Sequence, residues 1–404
     1  MRKLRYCFLL CGLVFAATLQ VLQAQTFVVL HRFTGGGDGA TPVAGVSIDL
    51  AGNLYGTTSG GNRIYGTVYK LKQSGTLQTL HTFRAGQNDG NSPRGRVTLA
   101  SDGSLFGTTW AGPGTGCGGS GCGMVFRLRL PPTIPTTVQW EWNLTIIKPL
   151  TGDIGANPQG DLTFDVLGNI FGTTVHGGTH GAGAVYTLTR TPNGYIPANL
   201  YSPPYYGDGP WLYGGVVFDN SGKLYGTFER DGLFQYGTLY ELSPDFPSWD
   251  ESSVHEFDFT HDGGYPIGGL IADADGNLYG TTSYGGPAGQ GTVFKVNTSG
   301  AYTVLYSFPG NGDGCGPEDK LAFGPDGDLY GTTYCGGAHG YGSIFKVSPT
   351  GQFTSLYDFT GEADGRWPLS TVVFDALGSL YGTASAGGNF ACNFGCGVVW
   401  EITP

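Results

Sequence analysis

The stretch Asp275-Gly276-Asn277-Leu278-Tyr279-Gly280-Thr281-Thr282 decides the fold of this 404-residue chain. Its central unit is an aliphatic residue followed by Tyr or Phe, then Gly and Thr. The unit occurs seven times, beginning at Leu54, Leu105, Ile170, Leu224, Leu278, Leu329 and Leu380. Successive copies are 51, 65, 54, 54, 51 and 51 residues apart. Sequence repeats of roughly 50 residues are typical of β-propeller blades.

Each repeat contains four segments with the pattern of antiparallel strands. In the fifth repeat these segments are residues 269–273, 278–282, 291–296 and 303–308, and Gly-containing turns such as Asp275-Gly276 join them. Seven units of four strands predict an all-β protein, a seven-bladed β-propeller of four-stranded blades.

The composition excludes helical folds and disorder. The chain has 73 Gly and 23 Pro residues, which leave no stretch long enough for a series of ordinary helices. It is also 40% hydrophobic and 13% aromatic, which is more apolar surface than disordered chains carry. Helical bundles and α/β folds are therefore ruled out.

The two ends of the chain predict how the ring closes. The strand at 27–33 has the pattern of a fourth strand without its predecessors, whereas the strand at 398–403 is a third strand without a successor. Pairing them completes the seventh blade and leaves no open edge. A propeller built without this exchange fits the strand count equally well.

The repeated motif itself indicates packing roles. A Gly within a strand weakens it unless another group approaches the backbone closely, so the seven glycines predict tight packing between blades. The residue before each Gly is Tyr in five copies and Phe at Phe106 and Phe171, so we expect the ring to pack and the hydroxyl to be dispensable.

The N-terminus has the layout of a signal peptide. Arg2, Lys3 and Arg5 precede an apolar run, and the small residue Ala24 follows it, so we expect a signal peptide at 1–24 and a single propeller domain at 25–404. Removing residues 1–24 changes the formal net charge from −11 to −14, since 17 Lys and Arg then face 31 Asp and Glu. We expect a secreted, extracellular or periplasmic monomer without membrane insertion, and a nucleic acid is excluded as partner.

The repeats resemble a known family. The elements Gly-x-Leu-Tyr-Gly-Thr-Thr, Gly-Gly, Gly-Thr-Val-Phe-Lys, Leu-Tyr-Ser-Phe and Asp-Gly-x-x-Pro are similar to the GloVer tandem repeat of secreted bacterial proteins with varied C-terminal anchors. The resemblance covers essentially all of 25–404 and implies no established activity. The chain departs from the family in ending at Pro404 without a sorting segment, which puts a surface anchor in doubt.

Function on this fold is expected on the top face, which carries the loops between blades and between second and third strands. A ring of aspartates belongs to the Asp-Gly-x-x-Pro loops, and the interpretations are a cation or polyol site, or carboxylates that accept backbone N–H bonds within their own turns. These residues are Asp38, Asp89, Asp262, Asp313 and Asp364, with looser copies at Asp153 and Asp208.

Aromatic residues break the symmetry of the top face. Three residues after the repeated Asp the chain has Thr41, Ser92, Trp211, Tyr265, Gly316 and Trp367, and the other top loops carry Trp110, Tyr284, Tyr334 and Phe390. Exposed rings beside short polar groups suit a sugar face. The candidate ligand-binding residues are therefore Trp211, Tyr265, Trp367, Trp110, Tyr284 and Tyr334. The alternative is that these rings fill gaps between Gly-rich loops.

No motif indicates a metal, a cofactor or a catalytic group. Three histidines, His31, His81 and His255, occupy a strand position that is Tyr elsewhere, and we expect them to be structural. The spacing of His176 and His180 would suit a metal only on a helix. The apparent dinucleotide fingerprint at residues 114–119 precedes a strand instead of a helix and is a false match.

Six cysteines remain after removal of the signal peptide, an even number that predicts disulfides in an exported protein. Their spacing predicts three local pairs: Cys117 with Cys122, Cys315 with Cys335 and Cys392 with Cys396. The competing Cys-based metal site would need four ligands from separate blades.

Two functions remain open. The first is a secreted binding or scaffold module that recognises an extracellular glycan or protein on its top face. The second is a carbohydrate-active enzyme, a hydrolase or lyase, that uses Asp and His residues of the same face. The absence of a catalytic signature favours the first.

Overall fold

Each sequence repeat folds into one antiparallel sheet, in which strands that are consecutive in the chain lie side by side. The computed structural model describes residues 25–84, 89–113, 116–130, 142–204, 209–245, 248–310 and 312–404. These residues form seven four-stranded sheets arranged as the blades of a β-propeller, together with one 3-10 turn at Cys117–Gly119. The predicted fold class is confirmed.

The strands are numbered in chain order. The first, innermost strands of the blades are β2 (Ser47–Ile48), β6 (Thr98–Leu99), β10 (Thr163–Phe164), β14 (Val217–Phe218), β18 (Ile271–Ala272), β22 (Ala322–Phe323) and β26 (Val373–Phe374). The second strands, which carry the repeated motif, are β3 (Leu54–Thr58), β7 (Leu105–Thr109), β11 (Ile170–Thr174), β15 (Leu224–Phe228), β19 (Leu278–Thr282), β23 (Leu329–Thr333) and β27 (Leu380–Ala384).

The outer half of each blade is longer. The third strands are β4 (Thr67–Leu71), β8 (Met124–Arg129), β12 (Ala184–Thr191), β16 (Thr238–Asp245), β20 (Thr292–Val296), β24 (Ser343–Val347) and β28 (Val398–Thr403). The fourth strands are β5 (Leu77–Thr82), β9 (Asn143–Pro149), β13 (Gly194–Tyr201), β17 (Ser248–Glu256), β21 (Tyr302–Ser307), β25 (Phe353–Asp358) and β1 (Thr26–Arg32).

The innermost strands are shorter than their sequence pattern suggests. Residues 269–273 were expected to form one strand, but only Ile271–Ala272 pairs with its neighbour. The preceding residues instead approach the backbone of adjacent blades at the propeller axis. A Cβ atom on Gly160 would lie 2.5 Å from the amide nitrogen of Gly215, and one on Gly214 would lie 2.9 Å from the Cα of Gly269. Glycine therefore lets the blades converge on a narrow channel.

The glycine of the repeated motif makes room for an aromatic ring within its own blade. Gly107 lies opposite Phe126 in the β7–β8 ladder, and a Cβ atom on Gly107 would lie 2.6 Å from the Cζ of Phe126. The close approach thus comes from the third strand of the same blade, not from the next blade as the sequence suggested. The other pairs are Gly56 with Tyr69, Gly172 with Tyr186, Gly226 with Tyr240, Gly280 with Phe294, Gly331 with Phe345, and Gly382 with Trp400.

The tyrosine before that glycine uses its hydroxyl, contrary to our expectation. Tyr279 donates to the carboxylate of Asp273 at 3.0 Å, in the turn between the first and second strands. The same bond forms at Tyr55, Tyr225, Tyr330 and Tyr381. In the two blades with Phe the turn carboxylate has other donors, Arg127 for Asp102 and Asn169 for Asp165. The Tyr–Asp bond holds the inner turn to the second strand.

The ring closes by exchange of the terminal strands, as predicted. Strand β1 pairs antiparallel with β28, which places Phe27 opposite Ile402 and Thr26 opposite Thr403. The Phe27 ring also stacks on Tyr357 of the preceding blade, with centroids 3.7 Å apart. The first and last strands are therefore both held in the seventh blade.

Candidate functional site

The top of the central channel is a cavity built from equivalent segments of all seven blades. In each blade the residues between the inter-blade loop and the first strand contribute to the lining of the channel. The cavity has a volume of about 430 Å³, within the range of small-molecule sites. Most of its lining is small or apolar, so the few charged side chains in it define its chemistry.

One residue of each inter-blade loop has a left-handed backbone. The seven residues are Thr41, Ser92, Asn157, Trp211, Tyr265, Gly316 and Trp367, with φ between 28° and 60°. At Tyr265 the N–H donates to the carbonyl of Tyr236 in the preceding blade at 2.6 Å, and the carbonyl accepts from the N–H of Ser283 in its own blade at 3.1 Å. Because this link between blades uses only the backbone, the side chain at this place can vary, and three copies are large aromatics.

Blades four and five bring together three of the predicted ligand-binding residues. The guanidinium of Arg230 lies 5.3 Å from the ring centroids of both Trp211 and Tyr265. Tyr265 meets Tyr284 edge to face at 5.9 Å, and Trp211 meets Tyr213 at 6.2 Å. Tyr284 is 49% exposed, whereas Trp211 and Tyr265 are half-buried by these contacts. The result is a cluster of aromatic rings packed against the Arg230 side chain.

The remaining predicted residues form two further groups. In blades six and seven Tyr334 stacks on Trp367 with centroids 5.9 Å apart, and the Arg366 guanidinium lies 4.7 Å from the Trp367 ring. In blade two Trp110 has the Arg94 guanidinium 4.1 Å from its ring centroid. Each tryptophan already packs on neighbouring groups, so part of its role is to fill space between loops, as the alternative interpretation holds.

The charged residues of the channel are those that sequence reasoning missed. Arg94, Tyr213 and Glu318 occupy the uppermost layer of the lining, where other blades have Val43, Gln159, Ile267 and Leu369. The signal was present, because these polar residues stand at a repeat position that is apolar in three blades. This sequence signal could not be interpreted without the structure, which shows that this repeat position faces the propeller axis.

A charge network lies deeper in the channel. Arg96 pairs with Asp161 of the next blade, with nitrogen and oxygen 3.2 Å apart, and Asp319 accepts from the Thr371 hydroxyl at 3.0 Å. Burial and the nearby Asp161 raise the pKa of Asp319 to about 6. Burial also lowers the pKa of the Lys320 ammonium, against the opposing effect of Asp161. The network joins blades two and three to blades six and seven.

Two glutamates at or near the channel mouth have raised pKa values. Burial, with smaller effects of Asp319 and Glu229, raises the pKa of Glu318 to about 7. Glu229 is 8% exposed, and burial raises the pKa of its carboxyl too. The Arg230 side chain lies 3.8 Å from one Glu229 oxygen. A carboxyl that holds its proton near neutral pH can donate a hydrogen bond or a proton to a ligand.

The aspartates of the inter-blade loops form hydrogen bonds within their own loops and with the strand that precedes each loop. Asp262 accepts from the N–H of Asp258 at 2.8 Å and lies 2.7 Å from the ring nitrogen of His255. The same pairing joins His31 to Asp38, His81 to Asp89, Tyr306 to Asp313 and Tyr357 to Asp364. This arrangement agrees with the turn interpretation and with a structural role for the three histidines. Asp208 lies outside the described residues.

The top-face histidines do not converge. His180 lies 3.1 Å from the Ser202 carbonyl, His261 pairs with Asp258, and His339 is exposed. Over the described ranges, no group of three or more His, Cys, Asp or Glu side chains is arranged to hold a metal ion.

The six cysteines pair as their spacing predicts. Sulfur–sulfur distances are 2.02 Å for Cys117–Cys122, 2.10 Å for Cys315–Cys335 and 2.02 Å for Cys392–Cys396. Cys315 and Cys335 also exchange backbone hydrogen bonds of 2.8 and 3.0 Å, which join an inter-blade loop to the next top loop of the same blade. The pair therefore fixes the loops that carry Glu318 and Tyr334.

These features define a class: a seven-bladed propeller whose axial channel opens into a polar cavity rimmed by aromatic groups. The chain belongs to the Gloeobacter/Verrucomicrobia repeat family, whose sequence profile matches residues 11–140 and 213–404. The resemblance seen in the repeats is thereby confirmed. No curated protein matches the chain at a significant level.

Solved structures share the fold at low sequence identity. The extracellular domain of a candidate one component system from B. thetaiotaomicron has a TM-score of 0.53 and 9% identity, over 93% of this chain and 40% of that chain. A candidate 6-phosphogluconolactonase from Bacteroides uniformis ATCC 8492 has a TM-score of 0.50 and 16% identity, over 82% of this chain and 95% of that chain. The chain thus spans less than half the length of the first of these structures. Among the residues that can be described, no helix has the length and apolarity needed to cross a membrane.

Proposed function

We propose that this protein is a secreted binding module that takes an extracellular glycan at the mouth of its central channel. The observation that carries the proposal is the presence of three aromatic groups, centred on Trp110, Trp211 and Trp367, on the face where a cavity of about 430 Å³ opens. Sugar rings stack their C–H patches on aromatic faces, while their hydroxyls need polar partners such as those of the cavity. An extracellular protein partner would use the same surface.

Export is supported by three observations. The first 24 residues have the layout of a signal peptide, three disulfides are present, and one structural relative is an extracellular domain. We expect the mature protein to begin at Gln25 and to be a monomer. N-terminal sequencing and sedimentation of the exported protein test these two expectations.

Binding is tested with purified protein on a glycan array, followed by calorimetry with the best ligand. Trp211→Ala and Trp367→Ala should each weaken binding about tenfold or more, because each removes a stacking surface. Trp249→Ala, in the outer strand β17, is the matched control and should leave binding unchanged. Failure of every glycan to bind would overturn the proposal, and so would equal binding by all four proteins.

A carbohydrate-active enzyme is the second candidate, and one observation favours it. The pKa of Glu318 lies at about 7, so this carboxyl can act as a general acid at the cavity mouth. Of the residues first considered for this role, Asp38, Asp262 and Asp364 instead accept backbone N–H bonds within their own loops. A degradation screen with wild-type protein and Glu318→Gln decides: product formed only by the wild type would establish an enzyme, and binding without product would establish a module.

A further inference from the structure

We propose that the glycan bound at this face is anionic, and that its carboxylate or sulfate groups are bound by arginines held on the tryptophan rings. This inference rests on the proposed function and names the ligand class. Arg94, Arg230 and Arg366 lie over Trp110, Trp211 and Trp367 with distances of 4.1, 5.3 and 4.7 Å from guanidinium carbon to ring centroid. Every predicted top-face tryptophan therefore carries an arginine.

The arrangement differs from that of a neutral sugar platform. On such a platform the rings carry no cation, whereas here a guanidinium lies over one face of each tryptophan ring. A guanidinium over an aromatic ring is held by cation–π attraction, which orders its side chain before any ligand binds. Its N–H groups form a planar fork that matches a carboxylate or a sulfate. A ligand group with negative charge is therefore the natural partner of each pair.

Within the described part of the chain, two of the three arginines lack an acidic partner. Over those ranges, no carboxylate oxygen comes within 4 Å of Arg94 or Arg366. Arg94 donates to the side-chain oxygen of Gln159 at 3.4 Å, and Arg366 donates to the Phe394 carbonyl. In contrast, Arg127 pairs with a carboxylate at 2.6 Å.

Two arginines lie near Tyr213, a residue of the cavity lining. Arg94 lines the cavity directly, and the nearby Tyr213 lines it from blade four. Arg94 and Arg230 both lie close enough to Tyr213 to lower the pKa of its hydroxyl, although burial raises that pKa overall. A charged sugar ring beside Tyr213 would therefore have Arg94 and Arg230 nearby and the Tyr213 hydroxyl as a further donor.

The negative net charge of the protein does not exclude an anionic ligand. The formal net charge is −11 over the whole chain, but charges more than about 8 Å apart are largely screened at physiological ionic strength. Binding therefore depends on the groups within reach of the ligand. At the aromatic groups these are the three arginines, together with two acidic neighbours, Glu229 beside Arg230 and Glu318 near Tyr284.

The test compares ligands that differ only in charge. Calorimetry would measure wild-type binding to oligogalacturonate, to its methyl-esterified form, to sulfated dextran oligomers and to neutral dextran oligomers. We expect one of the anionic ligands to bind at least tenfold more tightly than its uncharged counterpart. The pair that shows this difference identifies carboxylate or sulfate as the recognised group.

Variants assign the effect to the arginines. Arg94→Gln and Arg366→Gln should each weaken binding of the anionic ligand about tenfold, while Arg129→Gln, on the exposed end of β8, should not. Thermal melting checks that the variants fold. Neutral and anionic ligands bound equally, with tryptophan variants impaired and arginine variants unaffected, would overturn this inference and leave the proposed function standing. Failure of all ligands to bind would overturn both.

Discussion

Glu318 is the residue that links the charge of the channel to the stability of the ring. It stands in the uppermost layer of the cavity lining, and burial together with Asp319 and Glu229 raises its pKa to about 7. Its ordinary pKa is 4.5, so between these two values the folded protein holds a proton that the unfolded chain has lost. Ionisation of Glu318 therefore costs folding free energy as the pH rises through this interval.

The substitution Glu318→Gln should remove this loss. At pH 8 the variant should be more stable than the wild type by up to about 3 kcal/mol, whereas at about pH 3.5 the two should be nearly equal, because the wild-type carboxyl is then protonated in both the folded and the unfolded state. Urea unfolding at both pH values measures the difference. Glu362→Gln on the exposed loop is the control and should behave as the wild type. An unchanged pH dependence in the Glu318→Gln variant would contradict the assignment.

At this scale the sequence revealed some functional candidates and hid others. The tryptophans were visible because a large ring among Gly and Asn is unusual in any loop. Arg94, Tyr213 and Glu318 were hidden because their position in the repeat has no special sequence pattern, and only the ring geometry shows that its seven copies meet at the axis. The role of these three residues depends on the neighbours they meet at the axis, which are more than 50 positions away in the chain.

The second and third strands of each blade form the element on which the fold depends most. A glycine in the second strand lies under the aromatic ring of the residue opposite it, and these rings are fully buried in all seven blades. Burial of an aromatic side chain contributes about 2 to 3 kcal/mol. The sequence predicted that something must approach these glycines, but not which group, because register between strands is set by the whole hairpin.

The substitution Gly107→Ala should destabilise the protein by about 1 to 3 kcal/mol, because its Cβ would lie 2.6 Å from the Phe126 ring and the ring cannot move away. Chemical denaturation measures the loss. Gly37→Ala is the matched control, since a Cβ there meets nothing within 4 Å. Phe126→Leu combined with Gly107→Ala should cost less than the sum of the two single changes. Strict additivity would show that the glycine and the ring do not interact.

At the scale of the whole molecule the repeat spacing was sufficient to predict the ring. Seven units of four strands can bury their faces only against one another, and the unmatched strands at the two ends supply the closure. The grouping of aromatic residues into three clusters was not predictable in the same way. It depends on the course of the top loops, such as the one that brings Arg230 between Trp211 and Tyr265.

Deletion of residues 25–33 should open the ring. The seventh blade would keep three strands, and the unpaired edge of β28 would be free to pair with another molecule. We expect a lower melting temperature and concentration-dependent association, measured by calorimetry and sedimentation. Added peptide with the sequence of residues 26–33 should restore both properties at least in part. A truncated protein that stays monomeric and melts like the intact chain would contradict the role given to β1.

The exchange of terminal strands also determines when the protein can finish folding during its synthesis. The partner of β1 is β28, the last strand in chain order, so the first strand to leave the ribosome waits for the last. Until then the ring of seven blades cannot close. The polypeptide that reaches a secretion channel is therefore incompletely folded. Export of the chain in an unfolded state would be favoured by a fold that is completed only by its last strand.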